Sequence, residues 1–538
     1  MIYKLRKLRG LPIWALVLLA GLWGCQMETA SITLPETTVI APIATAVIQP
    51  TSAPTLPPTP PPLPTSSPVP SPTVPPTPRP LIILAAPPEW AAAAETAVAA
   101  IQNIHWQIIP VADAARQLAN GAAQLAIIPG ESENIVYQEP LALAVPFTTN
   151  WEAVTLAEAQ EIFENGHALA QAMVWSDLSP DWKALRVDGR HPTDPDYPFQ
   201  NQYILAAAPG FEPIAAELTA LLYQSLREET VSITAVGDMM LSRDLGNAIQ
   251  QGDLAFPFAK IIQLLQASDL TVGNLETALG NIGEPAAKRY PFISPPDAAK
   301  SLALAGFDII TLANNHAMDY GPDALQQGVN LLHEQQIATV GAGSNEVEAY
   351  SPHFAEINGL KLAFLGYVNV PVEASTGFDT RDWTAVANAP GLAWGEPEQI
   401  FADVTAIVPQ ADLTIVLLHS GYEYIEEPSE IQAHAAHAAI DAGADLVIGH
   451  HTHILQGIEF YNEGVIVYGL GNFAFDIIGP PETAVLNVWL DKNGVRQLEL
   501  IPAIILETGQ PRPAEREETA VILERVHFLT MLLNANKH

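Results

Sequence analysis

Apolar residues in this chain fall into short runs, many ending abruptly on a polar or acidic residue, with stretches of helical spacing between them. Leu81-Ile82-Ile83-Leu84 predicts a strand, Trp90 to Ile101 an Ala-rich helix, and His105 to Val111 a strand. Ala112 to Asn120 then predicts a helix stopped at Gly121, and Gln124 to Ile128 a further strand. Strands alternating with helices predict an α/β module with parallel pairing. Leu141 to Phe147 is an apolar run, and Thr155-Leu156-Ala157-Glu158 has the form of a capping box opening a helix that stops near Gly166. Beyond Thr230 the runs Val231–Val236, Leu270–Val272, Phe307–Leu312, Leu413–Leu418 and Asp445–Ile448 predict strands, and Ser429 to Ala442 a helix. Leu498 to Ile505 predicts a closing strand, and Arg516 to Leu533 an amphipathic helix packed on the last domain.

What stands at the strand ends carries the chemistry. The first run ends at Gly237-Asp238, the second feeds Asn274-Leu275-Glu276, and the third feeds Asn314-Asn315-His316 with Asp319 and Gly321 behind it. The fourth ends in His419-Ser420-Gly421-Tyr422-Glu423, and the fifth delivers Gly449-His450-His451-Thr452-His453. Imidazole, carboxylate and carboxamide oxygen are all metal ligands, and sites in open α/β sheets form beyond strand ends, where loops converge. His316 stands where it can serve as a proton donor. Asp319 can orient His316 or cap the following helix. His434 and His437, at i and i+3 on an Ala-rich helix, read first as packing or surface residues.

Charge and length bound the rest. The 538 residues suggest about three folded units at most. Lys and Arg total 23 against 59 Asp and Glu, a net charge of −36, which excludes nucleic acid as a partner. The exception is the N-terminus, where Lys4, Arg6, Lys7 and Arg9 precede the apolar run Leu11 to Leu19 in a secretory signal layout. Cys25, the single cysteine, follows in Leu22-Trp23-Gly24-Cys25, which resembles the lipobox of bacterial lipoproteins, and the preceding run is shorter than the roughly 20 residues of a spanning helix. Lipidation at Cys25 would place the chain outside the cytoplasm, anchored to the outer face of the bacterial cytoplasmic membrane. From Ser31 to Pro80 there are 17 prolines among Thr and Ser, so no core forms and the segment reads as a stiff tether. The expected organisation is a signal peptide over 1–25, a disordered linker over 26–80, an α/β module over 81–226, a metal-site domain over 228–510 and a C-terminal helix over 511–538.

Two resemblances follow. Residues 81–226 are loosely similar to phosphate-type solute-binding proteins of transporters, through Asn120 to Pro129, Leu141 to Pro146 and Leu156 to Phe163, although no Gly/Ser/Thr-rich anion loop accompanies them and a scaffold role is the alternative. The strand-end motifs, together with Gln456 and Tyr468-Gly469-Leu470-Gly471-Asn472-Phe473, resemble the CapA family of poly-γ-glutamate capsule synthesis proteins, itself similar to the calcineurin-like metallophosphoesterases. The resemblance implies an α/β fold, a sandwich of two mixed sheets flanked by helices. It implies Asp238, Glu276, Asn315, His419, His451 and His453 as ligands of two divalent ions, among which Mn, Fe and Zn are not distinguished, with Glu276 bridging. His316 would be the general acid, Asp319 its companion, and His450, Asn274 and Glu423 further candidates at or behind the ions. His450 stays open as a ligand, since either His-His or His-x-His spacing matches the pattern.

One departure is visible. Most phosphoesterases of that superfamily open with Asp-x-His, and here the corresponding residue is Met240, whose thioether is a poor ligand for hard ions. Full occupancy by two ions then depends on another residue, His450 being the candidate. Two readings remain: a surface-anchored metal-dependent hydrolase serving an anionic envelope polymer or its precursor beside a membrane synthase, or a non-catalytic accessory lipoprotein with a vestigial metal site.

Overall fold

The computed structural model describes residues 79–227, 229–373, 376–476 and 479–535. Cys25, the signal segment and nearly all of the Pro/Thr-rich stretch lie outside the described residues. Among the described residues no helix is long and apolar enough to cross a membrane.

The first module is a seven-stranded mixed sheet, and its leading strands follow the sequence pattern closely: Leu81–Ala86, His105–Pro110 and Leu125–Pro129 pair in parallel, with Ala91–Ala99 and Ala114–Ala119 as the intervening helices. The expectation of parallel pairing fails beyond residue 129. Gln200–Ala207 runs antiparallel to both Leu125–Pro129 and Ile135–Pro146, and Gln171–Val174 and Trp182–Ala184 run antiparallel to Ile135–Pro146. The reason is that strand–helix alternation stops there: only Gly130 to Asn134 separate Leu125–Pro129 from Ile135–Pro146, too few for a helical crossover. The capping box is formed, with Thr155 Oγ1 accepting from Glu158 N at 3.3 Å and Glu158 Oε2 accepting from Thr155 N at 2.8 Å.

From Thr230 onward the chain builds two facing sheets. One, of eight strands, has the order Ala338–Val340, Ile309–Thr311, Leu270–Leu275, Thr230–Met240, Glu482–Asp491, Gly494–Ile505 and Pro511–Pro513, with Asn472–Phe475 also paired to Thr230–Met240. The other, of six strands, has the order His353–Ile357, Leu360–Asn369, Leu413–Ser420, Leu446–His450, Gly464–Val467 and Ile458–Tyr461. Strand period decides what fills the space between them. Val231, Ile233 and Ala235 from one sheet meet Leu362, Phe364, Ile415, Leu417 and Ile448 from the other. The alternate residues face outward and are covered too. Leu365, Tyr367, Val416 and Leu418 pack on the helices Pro397–Ile407 and Glu430–Asp441, while Val236 and Ile310 pack beside Arg243–Gln250, Ala298–Ala305 and Pro322–Glu334. Because both faces are buried, these strands read as continuous apolar runs.

The last helix, Arg516–Asn534, closes an open edge. Ile522, Leu523 and Val526 join the inter-sheet core. Thr530 Oγ1 accepts from Ile458 N at 3.0 Å, and Asn534 Oδ1 accepts from Phe460 N at 3.0 Å while its Nδ2 donates to Ile458 O at 2.9 Å. Side chains of the helix thus satisfy backbone groups that the edge strand would otherwise leave free.

The two modules share a seam. The His191 ring stacks on Trp489 at 4.3 Å and meets Trp175 edge-on at 5.0 Å. Arg186 pairs with Glu499 at 3.0 Å, Gln497 Oε1 accepts from Ala184 N at 2.9 Å, and Phe147 enters the inter-sheet core against Phe460. Burial pushes the His191 imidazole down to about 3, with the Arg186 charge acting in the same direction. A folded pKa below the unfolded value of 6.5 means this group's contribution is fully present above pH 6.5 and is lost as pH falls toward 3. We predict that the stability difference between pH 7 and pH 5, measured by urea unfolding, is smaller in His191→Phe than in the parent by about 2 kcal/mol. An unchanged difference would show that the seam histidine does not titrate on unfolding.

Candidate metal centre

The centre forms where strand ends of both sheets meet. Thr230–Met240 and Leu270–Leu275 run parallel with Asp238 opposite Asn274, and Leu413–Ser420 and Leu446–His450 run parallel with His419 opposite His450. Two glycines permit the approach. A Cβ at Gly237 would lie 1.9 Å from Gly471 O, and one at Gly449 would lie 2.0 Å from Tyr468 O. Asp238 N instead donates to Gly471 O at 3.0 Å. Beyond Gly449 the chain turns through His451 and His453, both in the left-handed region with φ of 88° and 58°. For non-glycine residues this is a conformation that costs of order 1 kcal/mol or more and clusters at functional sites.

The side chains so delivered interlock. Asp238 Oδ1 accepts from Asn274 Nδ2 at 2.8 Å and Oδ2 from His451 N at 3.0 Å, and His453 Nδ1 lies 3.3 Å from Asp238 Oδ2 and 3.8 Å from Glu276 Oε2. His419 Nε2 lies 3.4 Å from Glu276 Oε1 and 2.8 Å from Asn315 Oδ1. Three groups of potential ligands each draw within 4.8 Å: Asp238, Glu276 and His453; Glu276, His419 and His451; Glu423, His451 and His453. Glu276, His451 and His453 each belong to two of these groups. Both Glu276 oxygens and His451 Nδ1 are buried with no hydrogen-bond partner, so the residues present lone pairs aimed at no protein donor and fit a bound cation. These buried His, Glu and Asp groups could bind a metal.

The electrostatics are those of a charge conflict. Burial and the neighbouring Asp238 push the Glu276 carboxyl well up. For Asp238 burial pushes the same way, but the bond and charge of His453 outweigh it and hold the carboxyl low. His453, which burial alone would lower, is pushed up to about 10 by Glu276 and Asp238. His419 and His451 move the other way, first through burial and then through mutual imidazole repulsion, His451 to about 3. Neutral imidazole is the ligand form, and His451 Nδ1 has no hydrogen-bond partner.

Not every candidate points inward. His450 Nε2 donates to Val236 O at 3.2 Å, and His450 is absent from the three groups. Met240 is buried in its strand opposite Phe475 and offers no imidazole, while His450 keeps its Nδ1 buried with no hydrogen-bond partner. The Asn274 amide is spent on its neighbours, with Nδ2 on Asp238 and near His419 Nδ1, and Oδ1 accepting from Asn314 Nδ2 at 2.9 Å. It therefore positions the others. His434 is exposed, and His437 lies 2.8 Å from Glu459.

Beside the ligands, His316 Nδ1 lies 2.6 Å from Asp319 Oδ2. Gly321, not Asp319, is the N-cap of Pro322–Glu334, so of the two roles the carboxylate performs the orienting one. The side chain that sequence reasoning missed is Lys288. Its ammonium, 3% exposed, pairs with Asp319 at 2.7 Å, bonds Asn315 O and lies 3.3 Å from His316 Nδ1. Lys288 sits in a loop with no apolar run before it, and only the basic pair Lys288-Arg289 within an acidic chain could have drawn notice. Asn472, whose Oδ1 lies 2.8 Å from His453 Nδ1, was legible only as part of a motif. Burial pushes the His316 imidazole down, Asp319 opposes this, and Lys288 reinforces it. A cavity of about 670 Å³ opens on this cluster, lined by Lys288, Asn315, His316, Glu423 and His451 among others.

A two-sheet sandwich with helices on both outer faces, carrying a buried carboxylate–imidazole cluster at its strand ends, defines the class of this protein. Residues 232–477 match the family described as bacterial capsule synthesis protein PGA_cap. The chain is 32% identical over 296 residues to the PGA biosynthesis protein CapA of Bacillus subtilis, covering 54% of this chain and 75% of that one. It is 31% identical over 295 residues to the capsule biosynthesis protein CapA of Bacillus anthracis, covering 53% and 70%. The chain belongs to the CapA family of bacterial capsule synthesis proteins. Among solved structures, a hypothetical protein from Thermus thermophilus overlays with a TM-score of 0.34 at 15% identity, covering 50% of this chain and 98% of that one.

Lys288 and Asp319 are both buried, so removing one partner leaves an uncompensated charge. Lys288→Met is predicted to lower unfolding free energy by about 3 kcal/mol, and Lys288→Met with Asp319→Asn to recover part of it. Chemical denaturation of the parent, both single variants and the double variant tests this, and additive losses would refute the coupling.

Proposed function

We propose that this protein is a metal-dependent hydrolase of the bacterial cell surface, held at the outer face of the cytoplasmic membrane by a lipid on Cys25 and acting on poly-γ-glutamate, a related envelope polymer or a precursor beside a membrane synthase. The observation that carries the reading is the sharing of Glu276 and His451 among ligand groups that adjoin a separate His316–Asp319–Lys288 cluster. A structural metal site needs no proton-handling group at its rim. The names of the Bacillus relatives tie those proteins to PGA and capsule biosynthesis, which supports an acidic envelope polymer as the context.

Asp238, Glu276 and His453 would hold one divalent ion, and Glu276, His419, His451 and Asn315 a second, with Glu423 reaching the rim. Such ions supply a lowered pKa for bound water and stabilise negative charge on the attacked centre. The protein does the rest. Asp319 fixes the His316 ring through Nδ1, which leaves Nε2 as the nitrogen that can transfer a proton to a leaving group. Lys288 neutralises Asp319, so the carboxylate orients the ring with less pull on its proton. The inter-sheet core keeps bulk water from the ligands, since Asp238, Glu276 and His419 are at most 1% exposed. Met240 is the observation that favours the second reading, an accessory lipoprotein with a weakened site, because a buried thioether stands where the related enzymes supply an imidazole.

Metal analysis and turnover separate the two. The purified protein is expected to bind about two equivalents of a transition metal and hydrolyse a generic phosphodiester or a γ-glutamyl amide, whereas His451→Ala with His453→Ala retains less than half the metal and loses turnover. Equal metal content in the two proteins would sink the ligand assignment, and full metal content without turnover on either bond type would select the accessory reading.

A further inference from the structure

A second, smaller cavity of about 290 Å³ adjoins the metal centre, with Ser242, Arg243, Arg289, Tyr290, Phe292 and Tyr320 in its walls. It shares residues with the first, since Arg289 and Tyr290 also line the larger cavity together with Asn315, His316 and His451. Arg243 also lines a further cavity together with Asn472. The Phe292 ring lies 4.6 Å from the His316 ring and 4.9 Å from the Arg243 guanidinium.

Both arginines are exposed, and among the described residues neither forms an ion pair with a carboxylate, whereas Lys300, Arg381 and Arg525 do. Arg289 rests against Tyr290 at 4.9 Å, and Arg243 donates one Nη1 bond to the Asp476 main-chain oxygen at 3.1 Å. Among the described residues the remaining guanidinium donors carry no protein acceptor. Arg243 holds a left-handed backbone with φ of 48°, unusual for a long side chain, and Ser242, the N-cap residue of the helix Arg243–Gln250, has its Oγ buried with no partner and no cap bond. The first turn of the helix Arg243–Gln250 is already bonded by Asp476 Oδ2 on Asp244 N at 3.0 Å, so the attraction here comes from the side chains and not from the helix end. In a chain of net charge −36, two unpaired guanidiniums in one cavity beside a reacting centre form a local reversal of sign.

We infer that this cavity is a distal subsite for an oxyanion, a carboxylate or phosphate, carried by the same extended substrate whose reacting bond occupies the larger cavity, and that Arg289 and Arg243 select substrates bearing that second anionic group. This rests on the hydrolase reading and adds the substrate's charge pattern to it. The guanidinium fork suits either oxyanion, and an extended polyanion repelled by the rest of the surface needs such an anchor to lie across Phe292.

Binding, which requires no turnover, tests it. Calorimetric titration of the full chain with a γ-linked glutamate pentamer and, separately, with tripolyphosphate is expected to show affinity for at least one probe. That affinity should fall about tenfold in Arg289→Gln and further in Arg289→Gln with Arg243→Gln, while Arg289→Lys recovers only part of it. The probe that responds identifies the anion as carboxylate or phosphate. Because Arg243 also touches Asp476 and Phe292, the exposed Arg289 variants carry the decision if the double variant folds poorly. Equal affinity of the parent and Arg289→Gln for both probes, or no binding of either probe to the parent, overturns the subsite. A subsite that responds as expected in a protein without any hydrolysis refutes the hydrolase reading alone.

Discussion

Two carboxylates, Asp238 and Glu276, are buried together at 1% and 0% exposure, and most of the C-terminal architecture is arranged around making that tolerable. Removing one ionised carboxylate from water costs several kcal/mol, and removing two side by side costs more unless positive charge and donors surround them. Asn274, from one strand end, and the His451 amide and His453, from the turn after another, supply these at Asp238. Those segments reach the carboxylates only because Gly237 and Gly449 let backbones touch where any side chain would collide. The same arrangement that makes the pair costly makes it a strong attractor for cations, so stability and chemistry depend on one set of contacts.

The sheets serve as a rigid frame for this pair. With helices on both outer faces and a continuous apolar core between, each strand is fixed along its length, and its C-terminal residue inherits that precision. Lys288 and Arg289, by contrast, are carried by a loop. The first module is attached at the opposite side of the large sheet, through Arg186, His191 and Trp489, on strands that also neighbour Thr230–Met240. The two modules are therefore joined by packed rings and a partly buried ion pair, a firmer union than the expected domain boundary near residue 228 suggests.

How much of this the amino-acid order revealed depends on the range of the interaction. Strand ends bearing Asp238, Glu276, Asn315, His419, His451 and His453 were legible because an apolar run that stops on a ligand residue is a local pattern, and the structure brings all six together. Which ring of the triple-histidine stretch turns away was not legible, since His450 is diverted by the Val236 carbonyl 214 residues earlier. Lys288 was missed for the same reason: its partners Asn315, His316 and Asp319 lie some thirty residues on, and nothing around it has strand or helix period. The antiparallel half of the first sheet was hidden because Gln200–Ala207 inserts between strands that precede it in sequence.

The pairing of Thr230–Met240 with Glu482–Asp491 has a consequence for synthesis of the chain. The strand that opens the large sheet finds its antiparallel neighbour about 250 residues later, and Asp238 its backbone partner at Gly471. During translation, a half-made sheet with an open central edge must persist for many seconds at ordinary elongation rates. Throughout that interval Asp238 and Glu276 stand at an unsealed margin, still hydrated, and the low-dielectric setting that sharpens their charge arises only when the last fifth of the polypeptide emerges. The centre is thus a product of late closure, and a chain stopped short of Asn472 would carry its acidic residues without the enclosure that gives them their chemistry.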